Sequence, residues 1–382
     1  MNKIAIQETT LSNARIVLAD QVLEGAVCFA DGVITDIGEA SGRGQDLNGD
    51  YLIPGLVELH TDHLETHYAP RPKVRWHPVA AVQAHDAQIA ASGITTVFDA
   101  IRVGLDEHSD MGTDELRILA DAITAGVNAG RLRADHLIHL RCEVSAPDCL
   151  KSFEKIMDHP LVRLASLMDH APGQRQFASA DAYRVYYQGK LKMSDQALAE
   201  FIARRSHESS VYSDKHRKAL AELSNSRGIA LASHDDATSA HVDAAKALGI
   251  RIAEFPTTLE AAQASREAGM AILMGGPNVV RGGSHSGNVS ARELAAAGLL
   301  DILSSDYIPF SMLQSAFCLV ETVPGISLPE AISFVTKRPA EAAGLKDRGE
   351  IAIGKRADLV HLRIEEGIPI VQTVWRQGIR VI

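Results

Sequence analysis

Tyr51-Leu-Ile-Pro-Gly-Leu-Val-Glu-Leu-His60-Thr-Asp62 decides how the chain is read: an apolar run, a Pro54-Gly55 break, a second apolar run, then groups that bind cations. A strand with a continuous apolar body is buried on both faces, as in a parallel sheet, so polar side chains gather only where it emerges. Alternate side chains of a strand share a face, which places His60 and Asp62 together and turns His63 away. An imidazole beside a carboxylate at a strand end is half of a divalent-metal site. A capped strand end is the plainer alternative.

Outward from this stretch, eight apolar strands are predicted: Leu52–His60, Ile94–Ala100, Leu137–Glu143, Val162–Asp169, Ile229–His234, Arg251–Pro256, Ala271–Met274 and Leu300–Asp306. Helical patterns rich in Ala, Glu and Lys lie between them, at Glu115–Ala129, Lys215–Ser226 and Leu259–Ala268. Buried strands alternating with helices imply parallel βαβ units, and eight of them an α/β fold of the distorted (β/α)8 TIM-barrel type. Both ends are rich in short strands: Ala14–Ala19, Val22–Ala30 and Val33–Ile37 before the barrel, Ala357–Leu362 and Ile370–Val374 after it. They are expected to form one small β-sandwich from residues 1–53 and 340–382, with the barrel over 54–339.

The 382 residues suffice for one such barrel and an accessory sheet. Hydrophobic residues make up 46% and charged residues 23%, which excludes disordered and collagen-like classes. A formal charge of -10 argues against nucleic-acid and anionic-membrane partners. Any cluster of cations must then be local and serve a ligand. Cys28, Cys142, Cys149 and Cys318 are scattered without metal-type spacing, which points to a reduced, cytoplasmic setting. No run has the length and apolarity of a signal peptide or a membrane span.

In a (β/α)8 barrel the chemistry sits where strands end at their C-terminal side. Here the strands end in His60/Asp62, Asp99, Glu143, Asp169-His170, His234-Asp235-Asp236, Glu254, Gly276-Pro-Asn278 and Asp306. Carboxylates crowded into a mouth repel one another unless a cation neutralises them. The expected metal ligands are His60, Asp62, Glu143, His170, His234 and Asp306, with His63 and Asp169 as the alternatives to Asp62 and His170. Glu143 is suited to bridge two ions, unless it pairs with Arg141; Asp306 is suited to bind metal and accept a proton from the attacking water. His63, His67 and His85 read as surface or supporting residues.

The Leu52–Asp62 stretch, Ser92-Gly-Ile-Thr-Thr-Val-Phe-Asp99, Ser304-Ser-Asp306 and Gly354-Lys-Arg-Ala-Asp358-Leu-Val resemble the amidohydrolase superfamily over nearly the whole chain. That resemblance implies the distorted barrel flanked by a sandwich from both termini, and two divalent ions, Zn, Mn or Mg. The family's first strand usually carries two histidines flanking one residue. Asp62 replaces the second, and a hard oxygen ligand shifts preference from zinc toward magnesium or manganese.

Tyr68-Ala-Pro-Arg71-Pro-Lys73-Val, Ser166-Leu-Met-Asp-His-Ala-Pro-Gly-Gln174-Arg175-Gln-Phe177, Tyr187-Gln-Gly-Lys190 and Pro277-Asn-Val-Val-Arg281-Gly-Gly-Ser284-His285-Ser-Gly-Asn288 resemble a diphosphatase branch of that superfamily belonging to phosphonate catabolism through the carbon–phosphorus lyase pathway. The resemblance implies hydrolysis of a phosphoric anhydride in a ribose-based small-molecule triphosphate, with release of diphosphate. An acidic chain must gather cations to hold such a substrate. Arg71, Lys73 and Arg75 on a Pro-stiffened loop, Gln174, Arg175, Lys190, and Arg281 with Ser284 and His285 are the expected phosphate donors. A cyclic-amide hydrolase of the dihydroorotase or hydantoinase kind, and a metal-free assembly subunit, are the competing readings. Association into a homo-oligomer is common in the family.

Overall fold

The computed structural model describes residues 8–38, 44–104, 113–175, 194–284 and 287–382. Strands β1 (Thr9–Val17), β2 (Val22–Ala30), β3 (Val33–Gly38), β4 (Gln45–Asp46) and β5 (Tyr51–Pro54) open the chain. β2 and β3 are joined by Asp31-Gly32, whose φ values of 51° and 80° suit a tight hairpin. Eight barrel strands follow: β6 (Leu56–Thr61), β7 (Ile94–Val103), β8 (Asp135–Glu143), β9 (Val162–Met168), β10 (Ala230–His234), β11 (Ile252–Glu254), β12 (Ala271–Gly275) and β13 (Ile302–Ser304). β14 (Leu359–Glu365), β15 (Ile368–Arg376) and β16 (Ile379–Arg380) close the chain.

The eight barrel strands are parallel and hydrogen-bonded in sequence order, as the alternation of strands and helices predicts. The terminal strands form a second, mixed sheet in the order β16-β15-β14-β5-β1-β2-β3, with β4 on β1. Leu11, Ile16, Phe29, Leu52, Leu359 and Trp375 pack together as its own core.

Pro54-Gly55 is the hand-off between the two sheets. β5 pairs with β14, and one residue later β6 pairs with β7. A side chain at Gly55 would put its Cβ 2.2 Å from Thr95 Oγ1, so close approach rather than backbone conformation demands glycine here.

Inside the barrel Val57, Leu59, Phe98, Leu164, Ala232, Ile252, Leu273 and Ile302 form one apolar layer. Burying each such side chain contributes about 1.5–3 kcal/mol. With Phe98 inward, Asp99 must face out. Its carboxylate meets His85 of helix α2 (Pro78–Ala91) at 2.7 Å and His136 at 2.7 Å. Asp99 therefore leaves the set of mouth acids expected from strand ends, because β7 continues to Val103 and the strand's phase turns this residue outward. The helical pattern at Lys215–Ser226 is the last part of a 33-residue helix, Asp195–Arg227, capped by Ser194 and ended by Gly228 at φ 67°. Its earlier turns are too polar to show the apolar period. Among the described residues no helix is long and apolar enough to cross a membrane.

The ring closes where the first strand meets the last. Thr61 bridges Asp306, the Asp306 N–H donates to the His60 carbonyl at 3.0 Å, and the Asp62 N–H donates to the Asp306 carbonyl at 3.2 Å. Glu58 clamps this seam. Fully buried, it accepts from the His60 N–H, the Ser304 hydroxyl and the Ser305 N–H, each at 2.6 Å. Burial pushes its carboxyl up to about 6 against the pull of those bonds. Glu58→Ala strands three buried donors and is expected to cost on the order of 3 kcal/mol. Guanidinium denaturation reads this directly; a wild-type midpoint would mean the clamp contributes nothing to closure.

Candidate active site

The cleft at the C-terminal ends of the strands is lined by His60, Arg141, His170, His234, Asp235, Phe255, Arg281, Ser284, Asp306 and Tyr307, among others. Four of the six expected metal ligands face it directly. Asp62 stands at the edge, where its carboxylate accepts from Arg141 Nη1 at 3.3 Å. Glu143 lies beneath, 2.8 Å from His170 Nδ1.

The tertiary structure separates the paired alternatives. His63 begins helix α1 (His63–Tyr68) and its Nε2 meets Gln88 Oε1 at 2.9 Å, on the far side of β6 from the cleft. Asp169 is drawn toward the long helix, accepting from Ser209 Oγ at 3.1 Å and lying 3.6 Å from Arg217. Asp62 and His170 are thus the members on the mouth side. The alternative Arg141–Glu143 pair does not form; Glu143 receives Arg205 Nη2 at 3.3 Å and His170, while Arg141 serves Asp62.

Two residues with a role at the mouth went unassigned by sequence reasoning. His139 is buried between the Leu59 carbonyl at 2.9 Å and Ser166 Oγ at 3.0 Å, its ring 5.0 Å from that of His60. Glu254 Oε1 stands 3.3 Å from His60 Nδ1. Alternation along Leu137-x-His139-x-Arg141-x-Glu143 is the signal that would have found His139, since those four share the inward face. Ligand atoms of His60, His139 and Glu254 lie within 4.8 Å of one another, and so do those of His170, His234 and Asp235.

Charge in this mouth is unbalanced. Burial and the neighbouring Asp62 carboxylate push Asp306 up to about 7, with Arg141 pulling the other way. Burial works against charge on His170, but Glu143 and Asp235 raise it to about 9. Burial holds His139 down to about 3 and His60 well below its ordinary value, so both rings are neutral. Both ring nitrogens of His234, Asp235 Oδ2 and Glu254 Oε2 are buried without a hydrogen bond. His234 Nδ1 is 3.0 Å from Asp235 Oδ2, yet the contact lacks the direction of a hydrogen bond. Imidazole nitrogens and carboxylate oxygens buried without partners and crowded at one strand-end mouth make a donor set that fits a divalent metal. Asp235, Phe255 and Asp306 hold left-handed φ values of 56°, 53° and 56°, strain concentrated at the strand ends.

The expected phosphate donors divide. Arg281 and Ser284 line the cleft. Arg71 and Lys73 are exposed on the loop after α1 and do not line it. Arg75 pairs with Glu115, and Arg175 is buried against Asp236, so each guanidinium already has a carboxylate. Gln174 sits in the turn after His170, its N–H donating to the Ala171 carbonyl at 3.1 Å. Lys190 and His285 lie outside the described residues. Arg141, expected from sequence only as the alternative partner of Glu143, lines the cleft as well.

A model of the amidohydrolase family matches residues 81–373. Alpha-D-ribose 1-methylphosphonate 5-triphosphate diphosphatase of Escherichia coli (strain K12) is 47% identical over 375 residues, covering 97% of this chain and 99% of that protein. Imidazolonepropionase of Nocardia farcinica is 23% identical, covering 93% and 91%. Among solved structures, 5-methylcytosine deaminase from Klebsiella pneumoniae superposes with a TM-score of 0.67 at 16% identity over 98% of both chains. N-acetylglucosamine-6-phosphate deacetylase from Pasteurella multocida gives 0.61 at 14% identity, covering 97% of this chain and 99% of that one. Two similar barrels, the ligand-rich mouth and a match across most of the sequence lead to one conclusion: the chain belongs to the amidohydrolase family.

Proposed function

We propose that the chain hydrolyses alpha-D-ribose 1-methylphosphonate 5-triphosphate to the 5-phosphate and diphosphate, in phosphonate catabolism, with divalent ions held by His60, Asp62, Glu143, His170, His234 and Asp306. The observation that carries this reading is the 47% identity, over 97% of the chain, to the Escherichia coli enzyme of that name. His139, Glu254 and Asp235 complete the donor set available to the ions. When bound, such ions lower the pKa of water and offset charge on the phosphoryl oxygens.

The protein's own groups supply the rest. Asp306, lining the cleft, is placed to take a proton from water as its oxygen bonds to phosphorus. The bond between the attacked phosphorus and the α–β bridging oxygen breaks, and its electron pair leaves on that oxygen, with diphosphate for attack at the α phosphorus and with the 5-phosphate for attack at the β; either leaving group needs little help from a general acid. Arg281 and Arg141 present guanidinium forks to the phosphate oxygens, and Arg71 and Lys73 add positive potential from the loop after α1. Attack at the α or the β phosphorus opens the same bridge. Hydrolysis in 18O-labelled water, reading which product carries the label, reports the reaction and the position of attack together. Opening of a cyclic amide with no diphosphate release would replace this reading with the C–N hydrolase.

Asp306→Asn is expected to lower kcat by at least ~10²-fold while the fold persists; turnover near wild type would remove Asp306 from the chemistry. The same variant tests the electrostatics. Asp306 has a folded value of about 7 against an ordinary 3.8, so its contribution to stability is fullest below about pH 4 and declines as pH rises toward 7. In chelator at pH 8, Asp306→Asn should therefore melt roughly 2–5 °C above wild type, the gap narrowing toward pH 5. Arg281→Ala should raise KM for the triphosphate several-fold more than for a monophosphate analogue, and equal effects on both would take Arg281 out of the phosphate pocket.

A further inference from the structure

Away from the cleft, three imidazoles meet where α1 packs on α2. His63 and His67 stand one turn apart on α1 with ring centroids 4.9 Å apart. His85 of α2 is 6.1 Å from the His63 ring and 5.9 Å from the His67 ring. His85 is fully buried, and its Nε2 meets Asp99 Oδ1 at 2.7 Å while its Nδ1 has no hydrogen-bond partner. His67 Nε2 is likewise buried without a partner. A buried polar atom without a partner is costly, and here two belong to rings in one cluster.

We propose that His63, His67 and His85 form a second metal centre, for zinc or a similar borderline divalent ion, that fastens α1 to α2. Three imidazoles around a tetrahedral ion stand roughly 5 Å apart, because each ligating nitrogen lies about 2.0–2.1 Å from the metal. The observed ring centroids are 4.9, 5.9 and 6.1 Å apart, but the three ligating nitrogens do not all lie within 4.8 Å of one another, so the rings must turn inward to meet an ion. Histidines at i and i+4 on one helix present their rings to a single ion, the third comes from the helix packed on it, and all-imidazole donors favour zinc over magnesium. His85 has the backing that metal-bound histidines show, its far nitrogen held by a carboxylate. Asp99 is anchored in turn by His136 Nδ1 at 2.7 Å, so the His85–Asp99–His136 group is satisfied internally and supports the centre rather than binding the ion. Closing the centre requires the His63 ring to exchange its bond to Gln88 Oε1 for the metal. Residues 69–77, which carry Arg71, Lys73 and Arg75, run between α1 and α2, and the ion would tie both ends of that loop. This centre is separate from the cleft and does not depend on the activity proposed for it.

The test uses the full chain, tag-free and stripped with chelator, reloaded with zinc(II) or cobalt(II) and dialysed. His67→Gln and His63→Gln, at half-buried positions, should each bind about one ion fewer than wild type. Both should lose the visible absorption of tetrahedral cobalt, while His234→Ala in the cleft retains it. Equal stoichiometry and an unchanged cobalt spectrum in both glutamine variants would overturn the proposal. So would loss of that spectrum in His234→Ala with its retention in His67→Gln.

Discussion

Closing a ring of parallel strands requires the first and last to find each other across nearly the whole chain, and here one buried carboxylate governs that meeting. Glu58 on β6 holds Ser304 and Ser305 at the end of β13, a sequence separation of 246 and 247 residues. The same group takes the His60 N–H, so the seam that closes the barrel also orients the first mouth histidine. Asp306 is pinned through its own backbone to His60 and Asp62. The mouth's chemistry rests on this joint, because groups from opposite ends of the barrel become neighbours only when it is made.

Once closed, the mouth concentrates charge that the fold alone does not neutralise. Asp62 and Asp306 oppose one another, Glu143 and Asp235 press on His170, and His60 and His139 are held neutral by burial. Arg205, from the helix Asp195–Arg227, steadies Glu143 from outside, and Ser209 and Arg217 of the same helix draw Asp169 away. That helix thus selects which of two adjacent side chains enters the cleft. Among the described residues the cleft lining sets Arg141, Arg281 and a protonated His170 beside Asp235 and Asp306.

The same scaffold serves other reactions. Barrels at 14–16% identity with TM-scores of 0.61–0.67 bear the names of a deaminase and a deacetylase, so architecture sets where chemistry occurs and the side chains set which chemistry. In this chain the cleft lining sets Arg141 and Arg281 beside three histidines and the carboxylates of Asp235 and Asp306.

Much of this was legible in the linear chain. Apolar runs at strand length, alternating with helical patterns, encode eight buried strands wherever they end up in space, and the residues just past those runs are the candidates for the mouth. Of the residues expected on that ground, His60, His170, His234 and Asp306 line the cleft and Glu143 lies beneath His170. Strand phase, partners and burial were not legible, since they depend on contacts between distant segments. Asp99 turns outward because Phe98 fills the barrel, Arg175 is spent on Asp236, Glu254 meets His60 across 194 residues, and three histidines that read as incidental converge between α1 and α2. Local sequence determined the strands and the kinds of side chain at their ends; only ring closure, which brings remote ends within hydrogen-bond reach, decided which of those side chains act together.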